Sequence, residues 1–230
     1  MKRAIRSANL AIQSLGVVLA MAGSLAWAAP QSQQKNPPYT LAEYNAFKAQ
    51  SAEQDTQVKI KLLDYFIAQY PDSALMPSIY NSYYDTYMSL RNYPQAVTYA
   101  DKLLALAGKD DIAARLSALV AFAVAYSAGC DDDALRTPEA ATKAQAAAEQ
   151  GLQLVDQLQK PSAVSDATFT ASRAYDVMKL TTAKGIAESR LKGDPVGCVA
   201  PPPPQAIDPG HFSRLIQDLH NEQSQIPRVR

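Results

Sequence analysis

Histidines and acidic residues are among the side chains of this 230-residue chain that could bind a metal ion. The two histidines, His211 and His220, are nine residues apart, whereas a helical zinc site places its histidines at i and i+4. Asp131, Asp132 and Asp133 could attract a cation, but a calcium loop requires alternating ligands, a glycine and a distal glutamate that are missing here. We therefore expect exposed histidines, a solvated acidic loop and no bound metal.

Motifs of catalysis are missing from the sequence. It contains no glycine-rich phosphate loop, no nucleophile elbow and no zinc-binding histidine motif. The sequence does not decide whether two carboxylates form a catalytic pair, because acid and base partners need to be adjacent only in space. The residue types favour a protein that is not an enzyme and that needs no cofactor.

Tyrosine is concentrated in one stretch of the chain, residues 64–106. Eight of the twelve tyrosines fall in its first 36 residues. Four of them follow the spacing i, i+3, i+4, i+7 that places side chains on one helix face: Tyr80, Tyr83, Tyr84 and Tyr87. Tyrosines supply rigid apolar area with a polar tip, as sugar or peptide sites require. The cluster is therefore a candidate stacking platform, and core packing is the alternative for Tyr84.

Two helices position this cluster. The first carries the tyrosines and ends at the corner Asn92-Tyr93-Pro94, because proline suits the first turn of a new helix. The second continues to Leu106 with helical apolar spacing, and its small residues Ala96 and Ala100 let the two backbones approach. The stretch thus predicts an antiparallel helix pair.

Five further helices are predicted from capping signals and apolar periodicity. Thr40 and Glu43 form a capping box at the first helix, and Gly193 suits the end of the last one. The helix that follows Asp111 is apolar nearly all round and should be the most buried. The predicted spans are 41–51, 55–70, 112–126, 137–159 and 165–192. An all-α domain over residues 40–193 results.

Residues 1–28 have the three parts of a secretory signal peptide. Three basic residues precede an apolar core, and Ala26-Trp27-Ala28 forms the A-x-A pattern of a cleavage site. The apolar run is shorter than the roughly 20 residues of a membrane span, and no lipoprotein cysteine follows it. We expect cleavage after Ala28, a periplasmic or secreted protein, and a disordered leader over residues 29–39.

Cleavage would also change the charge of the chain. The 22 basic and 22 acidic residues would become 19 and 22, because Lys2, Arg3 and Arg6 are removed. The difference, 19 minus 22, leaves a net charge of about −3. Neither nucleic acid nor an acidic membrane surface is therefore favoured as a partner.

The helical pattern breaks after Gly193. Residues 194–208 include the run PVGCVAPPPP, which favours extended polyproline II conformation and predicts a spacer rather than a recognition motif. Residues 209–230 predict a short helix followed by a tail. The apolar residues of that helix are Phe212, Leu215, Ile216 and Leu219.

The stretch that begins at Pro77 resembles a tetratricopeptide (TPR) repeat. Counting Pro77 as position 1 of the 34-residue unit puts tyrosines on the large positions 4, 7 and 11 and Ala96 on the small position 20. Tyr84 and Leu103 depart from the pattern, since the family usually has small residues there. The segment Phe66–Ser73, FIAQYPDS, is similar to the corners between repeats of extracytoplasmic bacterial TPR proteins.

This resemblance implies a right-handed α-solenoid of antiparallel helix pairs, with about three repeats and a C-terminal helix. It also implies a noncatalytic scaffold that binds a protein or peptide of the cell envelope on its concave face. The candidate contacts lie on the inner face of the helix that begins near Pro77: Asn81, Tyr84, Asp85 and Met88. The alternative is an enzyme or small-ligand binding protein that stacks a sugar or peptide on the tyrosines.

Cys130 and Cys198 are the only cysteines of the chain. Export would place both in an oxidising compartment, where an even count favours pairing. Each follows a helix that the resemblance makes equivalent in successive repeats, so that both lie on the same side of a solenoid. We predict a structural disulfide, because a redox or metal role would call for a CxxC pair or nearby histidines.

Overall fold

A computed structural model describes residues 37–194 and Cys198. The described residues form seven α-helices and no strand, which confirms the all-α class. The predicted signal peptide, most of the predicted leader, most of the proline-rich linker and the predicted C-terminal helix lie outside these residues. The helices are α1 (Leu41–Ala52), α2 (Thr56–Gln69), α3 (Met76–Ser89), α4 (Tyr93–Leu106), α5 (Ile112–Ala128), α6 (Pro138–Val155) and α7 (Asp166–Lys192).

Short polar side chains begin six of the seven helices. Thr40 and Glu43 form the predicted capping box, in which the Thr40 Oγ1 accepts from the Glu43 N–H at 3.2 Å. Each such cap satisfies backbone N–H groups that have no partner inside the helix. The other five caps are Asp55, Asn92, Asp111, Thr137 and Ser165.

Helix α3 begins without a side-chain cap, unlike the other six helices described. Its N-cap residue is Leu75, and Pro77 lies in the first turn, where a missing N–H costs no hydrogen bond. The Ser73 hydroxyl instead accepts from the Leu75 N–H at 3.2 Å, so it stabilises the turn before the helix.

Helix ends follow the predictions at most positions. Gly193 ends α7 in the left-handed region, with φ of 76°, as expected of a glycine cap. Helix α6 is shorter than predicted and ends at Val155 instead of Gln159. Backbone turns replace its last predicted turn, because the N–H groups of Gln157 and Leu158 bond three residues back, to Leu154 and Val155.

Helix α5 is the centre of the larger part of the core. It packs against α4, α6 and α7, and nine of its seventeen residues are buried, which confirms that it is the most buried helix of the described part. A smaller apolar cluster joins α2, α3 and α4 around Leu63, Phe66 and Tyr83. Tyr84 and Tyr87 pack against both clusters and so connect them.

Two glycines allow close contacts between helices. A Cβ on Gly151 of α6 would lie 2.6 Å from Cδ2 of Leu180 of α7, so the missing side chain makes room for Leu180. Gly129 follows α5 directly. A Cβ on Gly129 would meet Cβ of Tyr93, and would lie 2.7 Å from Cδ1 of Leu135. The Tyr93 contact cannot relax by a rotamer change, because its Cβ is fixed to the backbone of α4.

Gly129→Ala should lower the free energy of unfolding by about 2 kcal/mol, because an added methyl group overpacks the contact between α4 and the end of α5. The backbone of Gly129 has a negative φ, so the cost is steric. Gly108→Ala is the matched control, since its Cβ would meet only Asp111 Cβ at 3.9 Å. Urea denaturation of both variants gives the measurement, and equal stabilities would contradict the described contact.

Candidate functional site

The four predicted contact residues lie on one face of α3. Asn81, Tyr84, Asp85 and Met88 follow the spacing i, i+3, i+4, i+7 within Met76–Ser89. Asn81 and Asp85 are exposed, whereas Tyr84 and Met88 are half-buried. The face therefore offers two polar side chains to solvent beside two larger side chains that are anchored in the core.

Tyr84 is held by the neighbouring helix α5. Its hydroxyl donates to the carbonyl oxygen of Ala121 at 3.0 Å, and burial raises the pKa of this phenol well above its usual value. The TPR pattern has a small residue at this position. Here the large side chain bridges α3 and α5 instead, and its hydrogen bond fixes its orientation.

Asp85 is the only Asp, Glu, Lys or Arg of helix α3. The residue is exposed, yet protein atoms around its carboxylate raise the pKa of this group by burial. Lys59 of α2 acts in the opposite direction through its charge. No ion pair of Asp85 within 4.0 Å occurs among the described residues. A partly desolvated carboxylate of this kind favours a cationic or hydrogen-bond donor group that comes close to it.

The tyrosine cluster is a stack of rings inside the protein. The Tyr83 and Tyr99 ring centroids are 4.2 Å apart with nearly parallel planes, and Tyr87 stacks on Tyr99 at 5.6 Å. Tyr83 is fully buried and Tyr99 is 8% exposed. These ring faces are covered by one another, so they offer no platform for a sugar or a peptide.

Two charged residues complete the stack, and neither was predicted from the sequence. The Tyr83 hydroxyl donates to the Asp64 carboxylate of α2. The Lys102 ammonium lies 4.3 Å from the centroid of the Tyr99 ring, a cation–π contact. Asp64 and Tyr83 are 19 residues apart in the chain, and no local sequence signal links such a pair.

A partly buried charged pair lies on α7. Asp176 and Lys179 are 3.9 Å apart, with side chains 12% and 19% exposed. Burial raises the pKa of the Asp176 carboxyl and lowers the pKa of Lys179, while the charge of each partner opposes the shift of the other. The Lys179 ammonium also lies 3.9 Å from the Tyr175 ring centroid. All three residues belong to α7, so these contacts are made within one helix and do not join it to another.

The acidic residues 131–133 belong to a tight loop after α5. The Asp132 carboxylate accepts from the Ala134 N–H at 2.9 Å, and Asp133 pairs with Arg136 at 3.5 Å. These local bonds occupy oxygens that a cation would otherwise use. His211 and His220 lie outside the described residues, so their predicted exposure stays a prediction.

Cys130 and Cys198 lie at disulfide distance, with Cα atoms 5.8 Å apart. Cys130 is fully buried, and its carbonyl oxygen accepts from the Arg190 guanidinium of α7 at 2.8 Å. The two sulfurs and the Asp131 carboxylate lie within 4.8 Å of one another, a donor set that reduced thiols could offer to a metal ion. Arg190 brings a positive charge to this end of α5, where it stabilises the C-terminal carbonyl groups and disfavours a bound cation.

Comparisons with protein families, curated proteins and solved structures gave no match for the chain. None of the helices in the part of the chain described above is long and apolar enough to cross a membrane.

Alkaline pH should unfold the protein through the stacked tyrosines. Burial raises the pKa of Tyr99 to about 12 and raises the pKa values of Tyr83 and Tyr84 as well. Since an unfolded tyrosine ionises near pH 10, the stabilisation is present below about pH 10 and is lost as the pH rises through about 12.

Helical circular dichroism and phenolate absorbance, recorded together during an alkaline titration, test this expectation. Ionisation of the buried phenols should coincide with loss of helicity. Tyr99→Phe keeps the ring but cannot ionise, so it should move the unfolding transition to higher pH. Complete phenolate formation in a chain that is still helical would contradict the described burial.

Proposed function

We propose that this protein is a noncatalytic scaffold of the bacterial cell envelope that binds a protein or peptide on the face of α3 defined by Asn81, Tyr84, Asp85 and Met88. The observation that carries the proposal is an exposed Asp85 carboxylate beside an anchored tyrosine. Asp85 has no ion pair within 4.0 Å among the described residues, and the Tyr84 hydroxyl is fixed by its hydrogen bond to the carbonyl oxygen of Ala121. A preorganised polar group next to apolar surface is what peptide recognition requires.

The proposed architecture is a right-handed, TPR-like α-solenoid of antiparallel helix pairs. Its support is that consecutive helices pack against each other and that α5 also packs against α7, the next helix of its kind. Connections of three to six residues join the helices from α1 to α5, as expected for antiparallel neighbours, whereas nine and ten residues join α5 to α6 and α6 to α7. In such an arrangement α3, α5 and α7 would line one concave surface.

The partner that fits the α3 face is a segment with a basic or donor side chain beside an apolar one. The donor would approach Asp85 and Asn81, and the apolar side chain would lie against Met88 and the Tyr84 ring. Stacking of a ligand on Tyr83 or Tyr99 receives no support, because their ring faces are covered by packing.

The proposed location is the periplasm or the exterior of the cell. The signal-like residues 1–28 and the closeness of Cys130 and Cys198 both support it, because disulfides persist in oxidising compartments. In this proposal the two cysteines form a structural disulfide, which attaches the chain after α7 to the end of α5.

Peptide selection tests the binding proposal directly. A displayed library of random peptides is panned against the purified protein, and the affinities of selected peptides are measured for variants of the α3 face. Asp85→Asn and Met88→Ala should each weaken binding about tenfold, equal to about 1.4 kcal/mol. The matched control is Asp110→Asn, an exposed carboxylate before α5, which should leave the affinity unchanged.

Folding is monitored in the same variants so that binding and stability are separated. Asp85→Asn removes a carboxylate that burial disfavours, so it should not lower the unfolding temperature. Selected peptides that bind the Asp85 and Met88 variants with unchanged affinity would overturn the proposed face.

The disulfide should stabilise the domain by roughly 4 kcal/mol, because it closes a loop of 68 residues in the unfolded chain. Alkylation of the exported protein without reductant should label no thiol, and dithiothreitol should lower the urea midpoint. The variant with both Cys130→Ala and Cys198→Ala is the control that should not respond to reductant. Two labelled thiols in the untreated protein would exclude the bond.

A further inference from the structure

Helix α7 has an exposed face without a charged residue between positions 170 and 185. The exposed residues of that span are Thr170, Ala171, Ala174, Val177, Thr181 and Gly185. Most of them follow helical spacing along one stripe, and Leu191, which is 43% exposed, extends it toward the end of the helix. Glu188 interrupts the stripe but is paired with Lys184 at 3.7 Å.

The exposed faces of other helices differ from this one. Those of α2, α4 and α6 carry Lys61, Lys102 and Lys143, as solvated helix faces usually do. The α7 face instead combines Val177, which is 38% exposed, and Leu191 with small uncharged residues. It has the composition of a face that another helix covers.

Gly185 is a second and independent indication that another segment covers this face of α7. A glycine inside a helix costs about 1 kcal/mol relative to alanine, so it usually serves a contact. Gly151 of α6 serves the contact with Leu180, but a Cβ at Gly185 would have nothing described within 4 Å. A glycine at such a position suits the close approach of a backbone that is not among the described residues.

The chain itself supplies a segment of suitable chemistry. Residues 199–230, the 32 residues after Cys198, lie outside the described part. Within them, Phe212, Leu215, Ile216 and Leu219 follow the spacing i, i+3, i+4, i+7 of one apolar helix face. This pattern needs an apolar surface to cover it, and α7 has one.

The length of the segment after Cys198 and the position of Cys198 are both compatible with docking on α7. Cys198 lies beside Cys130, whose carbonyl is bonded to Arg190 near the end of α7. Residues 199–208 could span about 30 Å when extended. A helix over residues 209–219 would be about 16 Å long, and the α7 face from Val177 to Leu191 is about 21 Å long. The segment can therefore return along α7 and fit on this face.

We propose that residues 209–219 dock as a helix on the uncharged face of α7. The segment would run antiparallel to α7 and complete a fourth helix pair, covering Val177, Thr181 and Gly185. The pair Cys130 and Cys198 would hold the start of this segment near the face and so raise its effective concentration there. The docking face lies on α7 and is separate from the proposed partner-binding face of α3.

Charge insertion into the full, oxidised chain tests the proposal. Ala174→Lys should lower the melting temperature by about 3 °C or more, because it places an ammonium under the docked helix. Ala146→Lys is the matched control, an exposed alanine within α6 that should leave the melting temperature unchanged. In a chain that also carries Leu215→Asp and Ile216→Asp, Ala174→Lys should have no further effect.

Trypsin cleavage after Arg214 supplies a readout that reports on the segment itself. It should be slow in the unmodified chain and in the Ala146→Lys variant and faster in the Ala174→Lys variant, and these three chains have the same residues around Arg214. Equal cleavage rates in all three chains would overturn the proposal. The proposal would also be overturned if Ala174→Lys lowered the melting temperature equally in the chain that carries Leu215→Asp and Ile216→Asp. A change in melting temperature that depends on protein concentration would overturn it too, because it would indicate that a second copy of the chain occupies the face.

Discussion

Helix α5 cannot be stable in water by itself, because apolar side chains cover nearly its whole circumference. Leu116, Leu119, Phe122 and Tyr126 are all less than 4% exposed only because α4, α6 and α7 surround them. The burial of such side chains contributes about 2 kcal/mol each, so the positions of the surrounding helices are set by the need to cover α5. The hydrogen bond from Tyr84 to Ala121 joins α3 to α5, so the position of the candidate site also depends on α5.

Local chemistry explains why the helices could be predicted from the sequence. Thr40, Thr137 and Gly193 act within a few residues of their own position, and apolar periodicity is likewise a local signal. Contacts between distant residues have no such signal. The hydrogen bonds from Tyr83 to Asp64 and from Arg190 to Cys130 depend on how whole helices pack, and the sequence did not predict either.

The candidate site shows the same division. Helical spacing was sufficient to place Asn81, Tyr84, Asp85 and Met88 on one face. It could not distinguish a tyrosine whose ring is open from one whose ring is covered, because stacking of Tyr83 on Tyr99 depends on the meeting of α3 and α4.

The contact between α5 and α7 has a consequence for the order of events during folding. The two thiols are far apart in the chain, and Arg190 can reach the Cys130 carbonyl only after α7 has docked on α5. Helix pairs that are adjacent in sequence can form earlier, since their loop-closure entropy is smaller. For the proposed disulfide, we therefore expect oxidation of Cys130 with Cys198 to follow the docking of α7 on α5.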